Sequence, residues 1–208
     1  MLIEYKNIIK KHNLQIKKIL HVGAHKAEEA KTYFDNGCEE VIWVEANPDL
    51  VSYLDNTLNK DKNKVFEAVI SDTDGDEVDF IVTNNGQSSS ILELGIHKNL
   101  FPSVRQSGTI SQKTKTIGTL FDENNLNFKQ IDFINLDIQG AELLALKGIG
   151  SNFHNVSAIL TEINTDYVYK DCALVGEIDE YLADFKFKRV ETVMWRDHPW
   201  GDALYVRE

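Results

Sequence analysis

Lys18-Ile19-Leu20-His21-Val22-Gly23 and, one helical stretch later, Glu40-Val41-Ile42-Trp43-Val44-Glu45 decide the fold. Each is a short apolar run stopped by a glycine or an acidic residue. Runs of this length, apolar on both faces, read as strands buried in a parallel sheet. Residues 26–36 between them are rich in Ala, Glu and Lys and read as a helix, ended by Asn36-Gly37, which tolerate a left-handed cap. After Glu45, Asn47 can cap a second helix and Pro48 suits its first turn; that helix runs to about Leu58, and Val65–Ile70 supplies a third strand. The β-α-β-α-β alternation with short loops predicts a parallel sheet with right-handed crossovers.

Outward from this unit, Ile3, Ile8 and Ile9 among charges predict a short amphipathic helix at about residues 3–13. On the other side, Asp72-Thr73-Asp74-Gly75-Asp76 is turn chemistry, and Glu77–Thr83 alternates with Val78, Phe80 and Val82 on one face. A polar loop (84–90), a weakly periodic stretch (91–108) and a strand at Thr109–Thr116 follow, so residues 72–116 read as an inserted hairpin and loop region. Residues 84–108 are polar and weakly periodic and are expected to form a mobile cover beside the crevice at the strand ends. Alternation resumes with strands at Ile131–Leu136 and Val156–Glu162 and helices at Ala141–Leu146 and Leu174–Phe185. Phe187–Val193 and Ala203–Val206, with no helix between them, predict an antiparallel hairpin. No repeat or linker interrupts the chain, so residues 1–208 are expected to form a single domain.

With 42% hydrophobic residues, 208 residues can bury a sizeable core without disulfides or structural metal. The net charge of −11 would repel a polyphosphate, so no nucleic-acid partner is expected. Lys10-Lys11 and Lys17-Lys18 read as a solvated helix face. Cys38 and Cys172 stand in no metal-binding spacing and read as free thiols. No apolar run approaches the ~18 residues of a membrane span, and the N-terminal stretch lacks a signal-peptide core. A cytoplasmic protein without a membrane partner is therefore expected.

Four places carry chemistry. Gly23-Ala24-His25-Lys26-Ala27 leaves a buried strand and is expected to open a helix, whose free N–H groups would face an anion; a tight turn alone would also account for the glycine. The dinucleotide pattern G-x-G-x-x-G is absent. Glu45, at the carboxyl end of the second strand, can accept hydrogen bonds from ribose hydroxyls. Turn and carboxylate together point to a nucleoside without separating S-adenosylmethionine from NAD. Asp137, in Asn135-Leu136-Asp137-Ile138-Gln139-Gly140-Ala141-Glu142, ends the fourth parallel strand and should face the crevice, with helix capping as the plainer reading. Glu142 falls in the first helical turn, where it suits the dipole. Glu162, in Thr161-Glu162-Ile163-Asn164, should lie across from Asp137. Two such carboxylates can hold a divalent cation, orient a hydroxyl or take its proton; the direct route is favoured, because a hard cation wants more oxygen ligands. Among the histidines, His97 and His198 are candidate bases, although an isolated His is more often structural.

Together the motifs resemble the FkbM family of S-adenosylmethionine-dependent methyltransferases over about residues 17–207. VGAH at Val22–His25, VEANP at Val44–Pro48, AVISDTDG at Ala68–Gly75, NGQSSSIL at Gly86–Leu92 and, most specifically, DFINLDIQGAELLALKG at Asp132–Gly148 carry the resemblance. It implies a Rossmann-like α/β fold: a seven-strand, mostly parallel sheet with helices on both faces and an antiparallel last strand. It also implies methyl transfer from S-adenosylmethionine, commonly to a hydroxyl of a sugar or other small molecule, so the expected partner is a small-molecule or glycan acceptor. By the resemblance, Gly23, Ala24 and His25 hold the methionine part, Glu45 with Ala46 the ribose, and Ser71 and Asp72 the adenine side. Gln87, Ser88, Ser89 and Ser90 would by the same resemblance shape the site; Asp137 is expected to border the cofactor as well, and Asn164 and His198 are further candidates for binding the acceptor. Asp137, Glu162 and His97 are the catalytic candidates, the first two being also the candidate metal ligands. Many members carry Asp where this chain has His21 and Gly where it has Ala27. A nicotinamide-dependent oxidoreductase and a non-catalytic nucleoside-binding scaffold are the alternatives.

Overall fold

The computed structural model describes residues 1–208. The chain runs α1 (Tyr5–His12), β1 (Lys18–Val22), α2 (Ala30–Asp35), β2 (Glu40–Glu45), α3 (Pro48–Thr57), β3 (Asn63–Glu67), β4 (Val69–Ile70), β5 (Glu77–Thr83), α4 (His97–Leu100) and β6 (Gln106–Lys115). It continues α5 (Ile117–Glu123), β7 (Phe133–Leu136), α6 (Glu142–Ile149), β8 (Ala158–Asn164), α7 (Val175–Ala183), β9 (Phe187–Met194) and β10 (Trp200–Arg207). Seven strands form the main sheet in the order β3-β2-β1-β7-β8-β10-β9. The pairs from β3 to β8 are all parallel. β10 runs antiparallel to both neighbours, as expected for the last strand of the chain.

Alternate residues of the buried strands face two cores. Leu20, Val22, Ile42, Val44, Ile134 and Leu136 pack on one side with residues of α5, α6 and α7 such as Leu120, Leu146 and Leu182. Ile19, Val41, Trp43 and Phe133 pack on the other with Ile8 of α1, Tyr33 of α2 and Leu54 of α3. Helices therefore cover both faces, which is why these strands read as unbroken apolar runs. The strand order reverses between β1 and β7, and crevices in such sheets open at the carboxyl ends beside that switch.

Five features differ from the sequence expectations. The helix expected from residue 26 starts at Ala30, because His25 (φ 45°) and Ala27 (φ 55°) are left-handed and stop a helix from forming earlier. The strand expected at 65–70 breaks at Ala68: β3 stays in the main sheet, while β4 joins β6 and β5 in a second, three-stranded sheet. A helix absent from the sequence reading, α5, is capped by the Thr116 hydroxyl, which accepts the Thr119 N–H at 3.1 Å, and buries Ile117, Leu120 and Phe121. Strands β6 and β10 begin earlier than their apolar patterns suggest. Finally, the stretch read as weakly periodic carries the short helix α4 and bonds to the loop after β8. The N–H groups of Gly95 and His97 donate to Val168 O, and that of Ile96 to Tyr167 O. No helix is long and apolar enough to cross a membrane.

Candidate functional site

The carboxyl ends of β1, β2 and β7 open into two adjoining clefts. The first has an open volume of about 620 Å³ and lies over β1 and β2; Val44, Leu50, Ala68, Val69, Ile70, Phe80, Ile91 and Ile138 give it apolar walls. The second is larger, about 1410 Å³, and is walled by Phe101, Val104, Val168, Tyr169, Trp195 and Trp200, with Glu28, Glu29, Glu162 and Asp202 among them. Gly23, His25, Gln87, Asp137 and Gln139 line both. A molecule in one cleft would therefore meet a molecule in the other beside Asp137.

Glu45 ends β2 on the floor of the apolar cleft. Its Oε2 accepts the His25 N–H and its Oε1 the Asn47 N–H, each at 2.8 Å. Burial pushes its pKa up, against the pull of those two N–H groups. The carboxylate is held still, and each oxygen keeps a lone pair for a further donor. Ala46 beside it lines the same cleft.

The turn after β1 is built differently from the expected anion cradle. The N–H groups of Gly23 and Ala24 both donate to Val44 O, that of His25 to Glu45, that of Lys26 to Glu28 and that of Ala27 to Ala24 O. None of these donors is free, and the helix begins only at Ala30. Gly23 has its own reason to be glycine. Its φ is +88°, and a Cβ there would stand 1.9 Å from the Asp137 carbonyl oxygen. The close approach is to the chain's own backbone at the end of β7.

Beyond β7 the chain makes a small polar hub. Gln139, itself left-handed at φ 56°, donates from Nε2 to Asp137 Oδ1 at 2.7 Å and to Glu162 Oε2 at 2.9 Å. Its Oε1 accepts the Tyr169 hydroxyl at 2.6 Å. Glu142 accepts the N–H groups of Ile138 and Gly140 and so clamps the loop that carries Asp137 and Gln139. It is buried away from both clefts, and burial raises its pKa. Burial, and then the Asp137, Glu142 and Asp202 carboxylates, hold Glu162 well above the usual carboxylate range, so it resists losing its proton. Asp202 lies opposite Glu162 in the β8–β10 register and accepts the N–H groups of Leu2 and of Ile3, the latter at 3.1 Å. Burial raises its pKa to about 6.

The sequence candidates divide between these places. Gln87 lines both clefts, Ser89 and Ser90 the apolar one, and Ala24, Ser88 and His97 the acidic one. His97 is buried, packs against the rings of Phe101 and Tyr169 at 5.0 and 5.5 Å, and has an Nδ1 without a partner. Burial lowers its pKa, which favours the neutral ring. His198 lines neither cleft; it stacks on the outer side of the same aromatic group, 5.1 Å from Phe101. Ser71 and Asp72 do not reach the apolar cleft either. The Ser71 hydroxyl bonds to Asp72, and its backbone oxygen packs where a Cβ on Gly148 would stand. Asn164 is fully buried beside Trp200, with neither side-chain polar atom partnered. His21 is buried, bonded through Nδ1 to the Tyr33 hydroxyl at 3.1 Å and lowered to a pKa of about 4 by burial. Three residues with central places went unassigned in the sequence. Gln139 stood inside a quoted motif. Asp202 could have been noticed as a lone acid in the apolar run Trp200–Val206, whereas Tyr169 had no local signal.

No set of three or more His, Cys, Asp or Glu side chains converges as a metal site. The space between Asp137 and Glu162 is bridged by the Gln139 amide, which supplies hydrogens where a cation would need lone pairs.

A sequence model of the methyltransferase FkbM domain matches residues 21–189. Among solved structures, the chain is similar to an FkbM methyltransferase from Methylobacillus flagellatus KT, at 15% identity and a TM-score of 0.58. The match covers 98% of this chain and 48% of that one, so this chain spans about half its length. It is also similar to magnesium protoporphyrin IX methyltransferase from Synechocystis PCC 6803 with bound S-adenosylmethionine, at 10% identity, TM-score 0.52 and coverage of 97% and 74%. A candidate tRNA methyltransferase from Streptococcus pneumoniae, in complex with S-adenosylmethionine, aligns at 13% identity, TM-score 0.53 and coverage of 100% and 73%. At these identities the likeness is one of fold. No curated protein sequence matches the chain.

Proposed function

Because the chain belongs to the FkbM methyltransferase family, we propose that it transfers a methyl group from S-adenosylmethionine to a hydroxyl oxygen of a sugar or other small molecule. The observation that carries this reading is the meeting of an apolar cleft and a polar cleft at Asp137. The donor set fits the cofactor. Glu45, immobilised by two N–H groups, suits a ribose diol, and Leu50, Ile70, Phe80 and Ile138 suit an adenine. When bound, S-adenosylmethionine supplies a methyl group on a cationic sulfur that takes back the bonding pair, so neither oxidant nor reductant is needed.

The protein's own part is alignment and proton removal. Holding two reactants in line can contribute roughly 7–11 kcal/mol at the limit. Gln139 engages Asp137 through Oδ1, which leaves Oδ2 to accept the acceptor's hydroxyl proton. Glu162, whose burial makes it resist ionisation, is less available as a base. His97, which burial favours as the neutral ring, adds an unpartnered Nδ1 to the larger cleft's wall. The bridged carboxylates favour this direct route over a metal. A pyrophosphate, as a nicotinamide enzyme requires, would find no free N–H at the turn after β1. The acidic wall of the larger cleft argues against an RNA acceptor.

Calorimetric titration with S-adenosylmethionine, S-adenosylhomocysteine and NAD tests the cofactor: the first two should bind and NAD should not. Asp137→Asn should then cut methyl transfer about 10²–10⁴-fold while sparing S-adenosylmethionine binding. Near-normal turnover in that variant removes Asp137 from proton transfer. Activity lost in EDTA and restored by Mg²⁺ would replace the direct route with a metal.

A further inference from the structure

We infer that Gln139 is a positioning residue for methyl transfer, holding the Asp137 carboxyl in one orientation, and that the Tyr169 hydroxyl fixes which way the Gln139 amide points. The inference rests on the methyl-transfer reading and extends it to Tyr169, which stands 30 residues further along the chain.

The amide is fully used. A glutamine side chain offers two hydrogens on nitrogen and one carbonyl oxygen. Gln139 Nε2 gives one hydrogen to Asp137 Oδ1 at 2.7 Å and the other to Glu162 Oε2 at 2.9 Å, while Oε1 accepts the Tyr169 hydroxyl at 2.6 Å. Turning the amide over would aim Oε1 at Asp137 Oδ1, oxygen against oxygen, and would take the acceptor away from Tyr169. That hydroxyl belongs to a residue only 1% exposed, where an unmade hydrogen bond is costly. Its other acceptor, the Ser88 carbonyl, lies farther off at 3.3 Å. Tyr169 therefore selects one of two amide orientations, the one that sends hydrogens to the carboxyls.

The backbone beneath is equally fixed. Gln139 and Gly140 are both left-handed, at φ 56° and 99°. For a glutamine, that conformation persists where the surroundings enforce it. The Ser90 hydroxyl donates to Gln139 O at 2.8 Å on one side, and Glu142 accepts the Gly140 N–H on the other. A Cβ on Gly140 would stand 3.1 Å from Tyr169 Cβ and 3.0 Å from Cys172 Cβ. Glycine there lets the Tyr169 segment close on the loop.

Asp137 depends on this support. Gln139 Nε2 is the one hydrogen-bond donor of the chain that reaches its carboxyl. The Met1 amine lines the same cleft but pairs with Glu29, at 3.8 Å. With Oδ1 tied by Gln139, Oδ2 is left for the acceptor hydroxyl in a single direction. An in-line transfer needs that direction kept, and a displacement of about 1 Å can cost roughly 10²-fold in rate.

The test pairs Gln139→Met, which keeps the length of the side chain and removes its donors, with Tyr169→Phe, which keeps the ring and removes the hydroxyl. Each is made separately in case one fails to fold. The acceptor panel is D-glucose, D-mannose and myo-inositol, with release of S-adenosylhomocysteine as the readout. Turnover should fall about 10²-fold in Gln139→Met and about tenfold in Tyr169→Phe, with KM for S-adenosylmethionine held within about twofold. Because Tyr169 acts through Gln139, the double variant should be no slower than Gln139→Met alone. Crystal structures with S-adenosylhomocysteine bound should show one orientation of the Asp137 carboxyl in the native protein and more than one in either variant. They decide the matter where no member of the panel turns over. A single, native orientation in the variants overturns the inference, as does normal turnover in Gln139→Met or a Tyr169→Phe loss that adds to it in full. Native protein that fails to bind S-adenosylmethionine removes the methyl-transfer reading itself, and the inference with it.

Discussion

The two clefts share five residues yet are built in opposite ways. The apolar cleft is framed by strand ends and the turns that follow them: Val22, Val44, Glu45 and Ile70 are each within a residue of a strand terminus. The acidic cleft draws its walls from segments far apart in the chain, among them Leu2, Phe101, Tyr169, Trp195 and Asp202. The first is rigid scaffold, where a backbone geometry dictates the residue. The second is mostly loop, where specificity is normally written. The difference predicts that substitutions in the two places will fail in different ways.

The largest effect is expected at the seam. Gly23→Ala would drive a Cβ into the Asp137 carbonyl at a left-handed φ, and should cost about 4 kcal/mol or more. Gly108→Ala, where nothing lies within 4 Å, should change stability by no more than about 0.5 kcal/mol. Urea denaturation of both variants checks the contrast; a Gly23→Ala protein of normal stability would mean that the two strand ends are not packed together.

A smaller effect separates the halves. Glu45→Ala should weaken S-adenosylmethionine binding by about 1–3 kcal/mol, the cost of losing a charged hydrogen-bond partner. It should leave the relative turnover of different acceptors where it was. Calorimetry with the acceptor panel would show whether the two clefts are separable; a shift in acceptor preference would show that they are not.

The smallest effect concerns Asp202. Its folded pKa, about 6, lies above the ordinary 3.8, so the folded chain holds a proton that the unfolded chain releases. The resulting stabilisation is complete below about pH 4 and is lost as pH rises through 6. At 1.36 kcal/mol per unit it amounts to about 1–2 kcal/mol after allowance for relaxation. Stability measured from pH 4 to 7 should slope downward through this window more steeply in the native protein than in Asp202→Asn. Parallel slopes would place the source of any pH dependence elsewhere.

The same division governs what could be read from the sequence. β2 and the start of α3 stand where the apolar run and the Asn47-Pro48 cap put them, and Glu45 reaches its cleft, because strand ends and caps are local facts. Helix α5 was equally local: Thr116 caps it, and Ile117, Leu120 and Phe121 follow helical spacing, but the segment is short and follows a strand without a break. The late start of α2 depends on two left-handed residues, His25 and Ala27, that no pattern marks. The bend at Ala68 follows from β4 pairing with β6, some 45 residues later. Gln139, Tyr169 and Asp202 acquire their places only when β7, β8 and β10 lie side by side, so their roles belong to tertiary contact rather than to motif.

Strand β10 has a consequence for how the protein is made. It follows β9 in the chain but lies inside it in the sheet, between β8 and β9. Until residues 200–207 have been added, β8 has an open edge, so a nascent chain at that point carries a bare, apolar sheet margin of the kind that recruits other chains. The closing strand is also the one that delivers Trp200 and Asp202 to the acidic cleft. Synthesis thus completes the sheet and the wall of the acidic cleft in the same step, after the Glu45 side has already been translated.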